Sequence, residues 1–72
     1  MERKEAVALL RELVNNNLAE SSLVSIEKNP SGDFNLIMKD YCGTKELKLF
    51  VAGKNLKIDV DEQKGYCIIH KS

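Results

Sequence analysis

The hydrophobic residues at the start of the chain recur with the spacing of one helix face. Between residues 3 and 17, the positions that follow the i, i+3, i+4, i+7 pattern are apolar: Ala6, Leu9, Leu10, Leu13 and Val14. Charged and amide side chains predominate on the other faces, and three consecutive asparagines at 15–17 can adopt the left-handed conformation that ends many helices. The pattern predicts one amphipathic helix over residues 3–17.

From residue 23 onward, hydrophobic and polar positions alternate, which is typical of β-strands with one buried face. Five segments have this pattern: residues 23–28, 34–39, 45–51, 56–60 and 66–71. The strongest turn signal lies at 29–33, Asn-Pro-Ser-Gly-Asp, because proline presets a turn dihedral and glycine accepts a positive φ. This turn pairs Ile26 with Leu36 and Val24 with Met38 on one face.

The segment 45–60 lies at the centre of the predicted sheet. If Gly53 and Lys54 form a two-residue loop, the apolar residues on either side pair on one face: Val51 with Leu56, Leu49 with Ile58, and Leu47 with Val60. A connection at 41–44 joins this hairpin to the first one and continues the same apolar face. The sequence therefore predicts an α+β fold with one N-terminal amphipathic helix packed on a five-stranded antiparallel meander.

Two registers are open for the last hairpin, which turns at 61–65. The register that we expect places these pairs on the inner face: Val60 with Tyr66, Ile58 with Ile68, and Leu56 with His70. A slip by one residue would instead bury Cys67 and Ile69, because neighbouring strand residues face opposite sides of the sheet.

A second helix is the competing interpretation of residues 44–52. Leu47, Phe50 and Val51 also have helical spacing, and the glycine that follows could end such a helix. The element order would then be α-β-β-α-β-β. We favour the strand because a helix would leave Leu49 in solvent and would break the continuous register of the meander.

Composition and charge limit the functions that this chain could have. Its 72 residues suit one small domain, and 11 basic and 11 acidic side chains cancel to a formal charge of zero. No global field would therefore attract nucleic acid or anionic lipid. Two cysteines are too few for a disulfide scaffold, and no apolar run approaches membrane length, so we expect a cytoplasmic protein with reduced thiols and no membrane partner.

The residue types that commonly carry chemistry are few and poorly spaced. Cys42, Cys67 and His70 are the soft metal ligands, but Cys67 and His70 would face opposite sides of one strand. The acidic turn that follows Asp59 lacks the glycine and glutamate spacing of a calcium loop. We therefore expect no catalytic residues, no cofactor and no metal site, and the protein is not expected to be an enzyme.

The outer face of the predicted sheet carries more apolar surface than a solvated face needs. Ile37, Phe50 and Ile69 lie on it, and Phe50 stands beside Lys57. A cluster of exposed apolar side chains on an open sheet indicates an association surface. We expect these residues to anchor a homodimer or the contact with an unidentified protein partner.

Two short fragments resemble the sequence motifs of the Sm-like RNA-binding ring proteins. Residues 33–40, Asp-Phe-Asn-Leu-Ile-Met-Lys-Asp, are similar to the first motif around its Asn-Leu pair, and Gly53-Lys54-Asn55 is similar to the Gly-x-Asn of the second. That family has a helix followed by five antiparallel strands, and the resemblance implies that Asn35, Gly53 and Asn55 line an RNA pocket. The neutral charge makes nucleic acid the less favoured partner.

Overall fold

The computed structural model describes residues 1–39 and 44–71. Within these residues, two helices and four strands follow one another in the order α-β-β-α-β-β: α1 (Arg3–Asn15), β1 (Val24–Lys28), β2 (Phe34–Met38), α2 (Lys45–Gly53), β3 (Lys57–Asp61) and β4 (Tyr66–His70). A short 3-10 turn, Ser21–Leu23, leads into β1. The strands form one antiparallel sheet with the order β1-β2-β4-β3. The predicted α+β fold, with an N-terminal helix and an antiparallel sheet, is confirmed.

Helix α1 buries the apolar stripe that its sequence predicts, with Leu9 and Leu13 among its buried side chains. The helix ends two residues earlier than predicted, and Asn17 adopts the left-handed conformation with a φ of 58°. The Leu18 N–H donates a hydrogen bond of 2.8 Å to the Leu13 carbonyl oxygen. This bond satisfies a carbonyl group that the helix end would otherwise leave without an intrahelical donor.

Residues 45–53 form a helix, so the predicted strand at 45–51 and the five-stranded meander are wrong. Leu47 and Val51 lie one helical turn apart and are buried, whereas Leu49 is 64% exposed. The spacing of four residues fits both periods, because positions i and i+4 share a face in a helix and in a strand. A single exposed leucine is normal on a protein surface and does not exclude the helix. The competing α-β-β-α-β-β arrangement, with a helix over 44–52, agrees with the structure to within one residue at each end.

The predicted two-residue loop at Gly53 and Lys54 is the end of helix α2 instead. Asn55 is left-handed with a φ of 60°, and the Leu56 N–H donates a hydrogen bond of 3.1 Å to the Val51 carbonyl oxygen. This is the same arrangement that ends α1. Each helix is therefore followed, two residues after its end, by a left-handed asparagine and a leucine, and then leads into a hairpin, so the chain consists of two helix-plus-hairpin halves.

The register of the first hairpin is confirmed residue by residue. Ile26 pairs with Leu36, and Val24 pairs with Met38. The Asn29 side-chain oxygen holds the turn because it accepts hydrogen bonds of 3.0 Å from the backbone N–H groups at positions 31 and 33. The glycine at position 32 supplies the positive φ, 94°, that closes this turn.

The register of the last hairpin differs from the expected one by a single residue. Ile58 pairs with Ile69 and Val60 pairs with Cys67, so Cys67 and Ile69 face inward and are fully buried. The Asp61 side chain accepts a hydrogen bond of 3.1 Å from the N–H at position 64, and the glycine at position 65 has a φ of 74°. These features close a four-residue turn at 62–65, which is one residue shorter than predicted and turns every side chain of β4 over.

Both helices pack on the same face of the sheet. Their buried side chains join those of the two central strands in one cluster: Met1, Ala6, Leu9, Leu13, Ala19, Leu36, Met38, Leu47, Val51, Cys67 and Ile69. Burying a large aliphatic side chain contributes roughly 1.5–3 kcal/mol to stability. Because both helices lie on one side of the sheet, the core forms on that side only. The opposite face of the sheet is turned away from both helices.

A pair of substitutions in α2 tests the helix directly. We expect Leu47→Ala to lower the free energy of unfolding by about 2–5 kcal/mol, because it leaves a cavity beneath the helix. Leu49→Ala is the matched control on the same helix, and we expect it to change stability by less than about 1 kcal/mol because Leu49 is already in solvent. Urea unfolding followed by circular dichroism measures both values. Equal losses would instead indicate that the two leucines share a buried strand face.

Candidate functional site

The sheet face turned away from the helices is not covered by either described helix. Side chains alternate along each strand, so every second strand residue points to this side, which we call the open face. The strand residues on the open face are Ser25, Glu27, Asn35, Ile37, Lys57, Asp59, Asp61, Tyr66, Ile68 and His70.

Two isoleucines form the centre of the open face. Ile37 on β2 and Ile68 on β4 are directly paired across the two central strands, and both are half-buried. Tyr66, two residues before Ile68 on the same strand, is also half-buried and extends this apolar area. Directly opposed side chains on neighbouring strands contact each other, so these residues form a continuous patch.

Polar and charged side chains surround the two isoleucines. The His70 ring Nε2 lies within hydrogen-bonding distance, 2.7 Å, of the Asp59 carboxylate. The Asn29 side-chain amide donates a hydrogen bond of 3.2 Å to the Asn35 side-chain oxygen. The Lys64 ammonium lies 5.9 Å from the centre of the Tyr66 ring. An apolar centre with a polar rim is the usual anatomy of a protein interface.

The structure places the four predicted interface residues in three different environments. Ile37 lies at the centre of the open face, and Lys57 lies at its edge on β3. The predicted placement of Ile69 on this face is wrong, because the one-residue change of register buries it under the helices. The predicted placement of Phe50 there is also wrong, because Phe50 belongs to α2 and packs against the core.

Sequence reasoning assigned Ile68 and Tyr66 to the inner face, although both lie on the open face. Residues 67–69, Cys-Ile-Ile, are a continuous apolar run, and such a run does not indicate which of its members face the core. The residues of the turn at 61–65 could have indicated the register of the last hairpin. An aspartate at its start and a glycine at its end favour the shorter loop that sets the observed register.

The residues implied by the Sm-like resemblance do not lie on one surface. Asn35 faces the open side of β2, whereas Gly53 is the last residue of α2, which packs on the other side of the sheet. Asn55 follows that helix and ends it with its left-handed backbone. The order of elements also differs from the helix and five strands that the resemblance implies.

The candidate metal and catalytic side chains are kept apart. Cys67 is buried beneath the helices, and His70 lies on the opposite face of the same strand. Cys42 lies outside the described residues. In the part of the chain that the structure describes, no group of three or more histidine, cysteine, aspartate or glutamate side chains is placed to hold a metal ion.

A groove of about 350 Å³ between α1 and the segment after α2 is an alternative candidate site. Leu9 and Leu56 contribute apolar surface to it, and the charged residues at its side include Glu12 and Lys54. The Lys54 ammonium lies 2.6 Å from a Glu12 carboxylate oxygen, so the two charges satisfy each other. Among the described residues, no buried side-chain nitrogen or oxygen atom lacks a hydrogen-bond partner. The groove thus shows no feature that would select a ligand.

No protein-family model matches this sequence, and comparison with curated proteins and with solved structures likewise gave no match. Neither of the two described helices has the length and apolar character needed to cross a membrane.

Thiol labelling tests which side of β4 faces the core. In a Cys42→Ser variant, we expect a thiol reagent to modify Cys67 at least about a hundredfold more slowly in the native protein than in urea, because the buried thiol reacts only after opening of the fold. Equal native and unfolded rates would show that Cys67 faces solvent, and Ile68 would then lie in the core.

Proposed function

We propose that this protein is a small non-catalytic association module whose open face binds a second copy of the same chain. The observation that supports the proposal most strongly is the direct pairing of Ile37 with Ile68 on a face that neither described helix covers. Two adjacent isoleucines on the central strands lose water contact together when a second sheet packs on them. We further propose that the protein acts in the cytoplasm, because two cysteines are too few for a disulfide scaffold.

The charges of the open face favour a second copy over nucleic acid. Glu27, Asp59 and Asp61 point to the same side as Lys57, so both signs are present around the isoleucines. The chain as a whole has a formal charge of zero. A phosphate backbone would meet three carboxylates and one ammonium group on this face, whereas a second copy offers an equal apolar centre and can set each Lys57 against a carboxylate.

The size of the open face sets the expected affinity. Four strands of five residues cover an area roughly 17 Å long and 19 Å wide. A patch of that size buries less surface than the roughly 800 Å² that each partner contributes to a standard interface. We therefore expect a weak dimer with a Kd of about 1 μM or higher. This Kd corresponds to a binding free energy no more favourable than about −8 kcal/mol.

Sedimentation equilibrium over micromolar to millimolar concentrations measures this association. We expect the wild-type protein to dimerise and Ile68→Ser to raise the Kd at least about tenfold, because the variant places a hydroxyl at the centre of the interface. Leu49→Ser is the matched control, since Leu49 is the most exposed large apolar residue of α2 and lies on the other side of the sheet. We expect this control to leave the Kd unchanged.

Three results would contradict the proposal. A strictly monomeric protein at millimolar concentration would exclude the dimer. A loss of association in Leu49→Ser with none in Ile68→Ser would move the interface to the helices. Binding of a uridine-rich oligonucleotide, with amide shifts centred on Ile37 and Ile68 and no dimer in its absence, would make RNA the occupant of the open face.

A further inference from the structure

We propose that two copies pack their open faces together about a two-fold axis that runs parallel to the strands, between β2 and β4. In this arrangement, β1 of each copy lies over β3 of its partner. The inference rests on the proposed function, because it describes how the same face meets its second copy. The order of charges across the four strands supports it.

Two symmetric arrangements keep the strands of the facing sheets aligned. Stacked sheets of the aligned class hold their mean strand directions within about 30° of each other. The two-fold axis between the sheets is then either parallel or perpendicular to the strands. A row is the set of outward side chains that lie side by side across the four strands. A parallel axis places each strand over the strand at the opposite position in the partner sheet, and it places each row over the same row of the partner. A perpendicular axis keeps the strand order and exchanges the rows at the two ends.

One row of outward side chains crosses all four strands near one end of the sheet. Glu27 pairs with Asn35, and His70 pairs with Lys57. The register between β2 and β4, continued by one residue, places Asn35 beside His70. A parallel axis reverses this row, so Glu27 of each copy lies over the partner's Lys57. The dimer then has two contacts between opposite charges at its edges, where charges fix the orientation of an interface.

The middle row gives complementary contacts under the same operation. It runs from Ser25 through Ile37 and Ile68 to Asp59. The parallel axis places Ile37 over the partner's Ile68, and both symmetric copies of this contact lie at the centre of the interface. It also places the Ser25 hydroxyl over the partner's Asp59, to which the hydroxyl can donate a hydrogen bond.

The other end row is neutral in this comparison. Asp61 pairs with Tyr66 on the open face. Continued by one residue, the registers add Leu23 and Lys39 to this row, so the parallel axis places Asp61 over the partner's Leu23 and Tyr66 over the partner's Lys39. A rim carboxylate remains hydrated and costs little.

The perpendicular axis creates an unfavourable contact in the middle row. It places Asp59 of each copy over the partner's Asp59, and carboxylates that face each other repel. Within its own chain, each Asp59 carboxylate lies 2.7 Å from the His70 ring nitrogen. The two carboxylates would still face each other across the interface. The perpendicular axis also sets Lys57 over the partner's Asp61, so each axis makes two contacts between opposite charges. The perpendicular axis alone adds a contact between like charges, and we therefore favour the parallel axis.

Charge reversal at two exposed positions tests the axis. Glu27 and Lys57 lie on opposite edge strands of one sheet, three strand spacings or roughly 14 Å apart, so they interact weakly within a chain. We expect Glu27→Lys and Lys57→Glu each to raise the Kd of self-association roughly tenfold, because each variant turns two attractions in the dimer into repulsions. Sedimentation equilibrium at about 0.15 M salt measures each Kd, because the Debye length of about 8 Å then screens the net charges of the variants more than direct contacts in the interface.

Mixing the two single variants is the decisive measurement. An equimolar mixture of Glu27→Lys and Lys57→Glu chains restores both attractions, so we expect heterodimers with a Kd within about threefold of the wild-type value. Each chain carries only one of the two substitutions, so any rescue must come from contacts between chains. Asp59→Asn is the control for the other axis, since it would tighten a dimer in which the two Asp59 carboxylates face each other.

The outcomes separate this inference from the proposed function. Rescue in the mixture, without tightening by Asp59→Asn, supports the parallel axis. A wild-type dimer that shows no rescue, or that tightens with Asp59→Asn, overturns the axis but leaves self-association intact. A wild-type protein that stays monomeric contradicts the proposed function itself.

Discussion

The alternation of side chains along β2 and β4 is the constraint on which the rest of the structure depends. Leu36 and Ile69, paired on the inner face, are wholly buried beneath the helices. Their neighbours Ile37 and Ile68 must then face the other way, because consecutive strand residues point to opposite sides of a sheet. The arrangement that completes the core therefore also places two isoleucines at the centre of the open face. Stability and the proposed association have the same origin.

The two halves of the chain contribute equally to that centre. Each half is a helix that ends at a left-handed asparagine, Asn17 or Asn55, followed by a two-stranded hairpin. The strand order β1-β2-β4-β3 brings the second strand of each hairpin to the middle of the sheet. Both helices cover the same side, so neither described helix covers the two isoleucines. We propose a second copy of the chain as the partner that covers this face.

Local signals decided which elements were predictable from the sequence. The first hairpin was predicted with its register because Asn29 and the glycine at position 32 define one turn, and Ile37 was placed on the open face for that reason. The sequence pattern favoured a strand where α2 lies, because the spacing of Leu47 and Val51 fits both a helix and a strand. In that case only tertiary packing decides the conformation.

The candidate site was predictable only in part, because half of it depends on the last hairpin. Cys67, Ile68 and Ile69 are all apolar, so the residue that faces outward depends on the length of the turn before them. A turn shorter by one residue exchanged Ile69 for Ile68 on the open face. The presence of an apolar open face was therefore inferred correctly for β2, while the residue that β4 contributes was not.

Intermolecular nuclear Overhauser effects in an equimolar mixture of isotope-labelled and unlabelled protein test the central claim most directly. Isotope filtering removes the contacts within each chain, which matters because Ile37 and Ile68 are already neighbours in one sheet. We expect methyl contacts between chains that involve Ile37 and Ile68. Contacts between chains that involve Leu49 of α2, with none from the two isoleucines, would contradict the account.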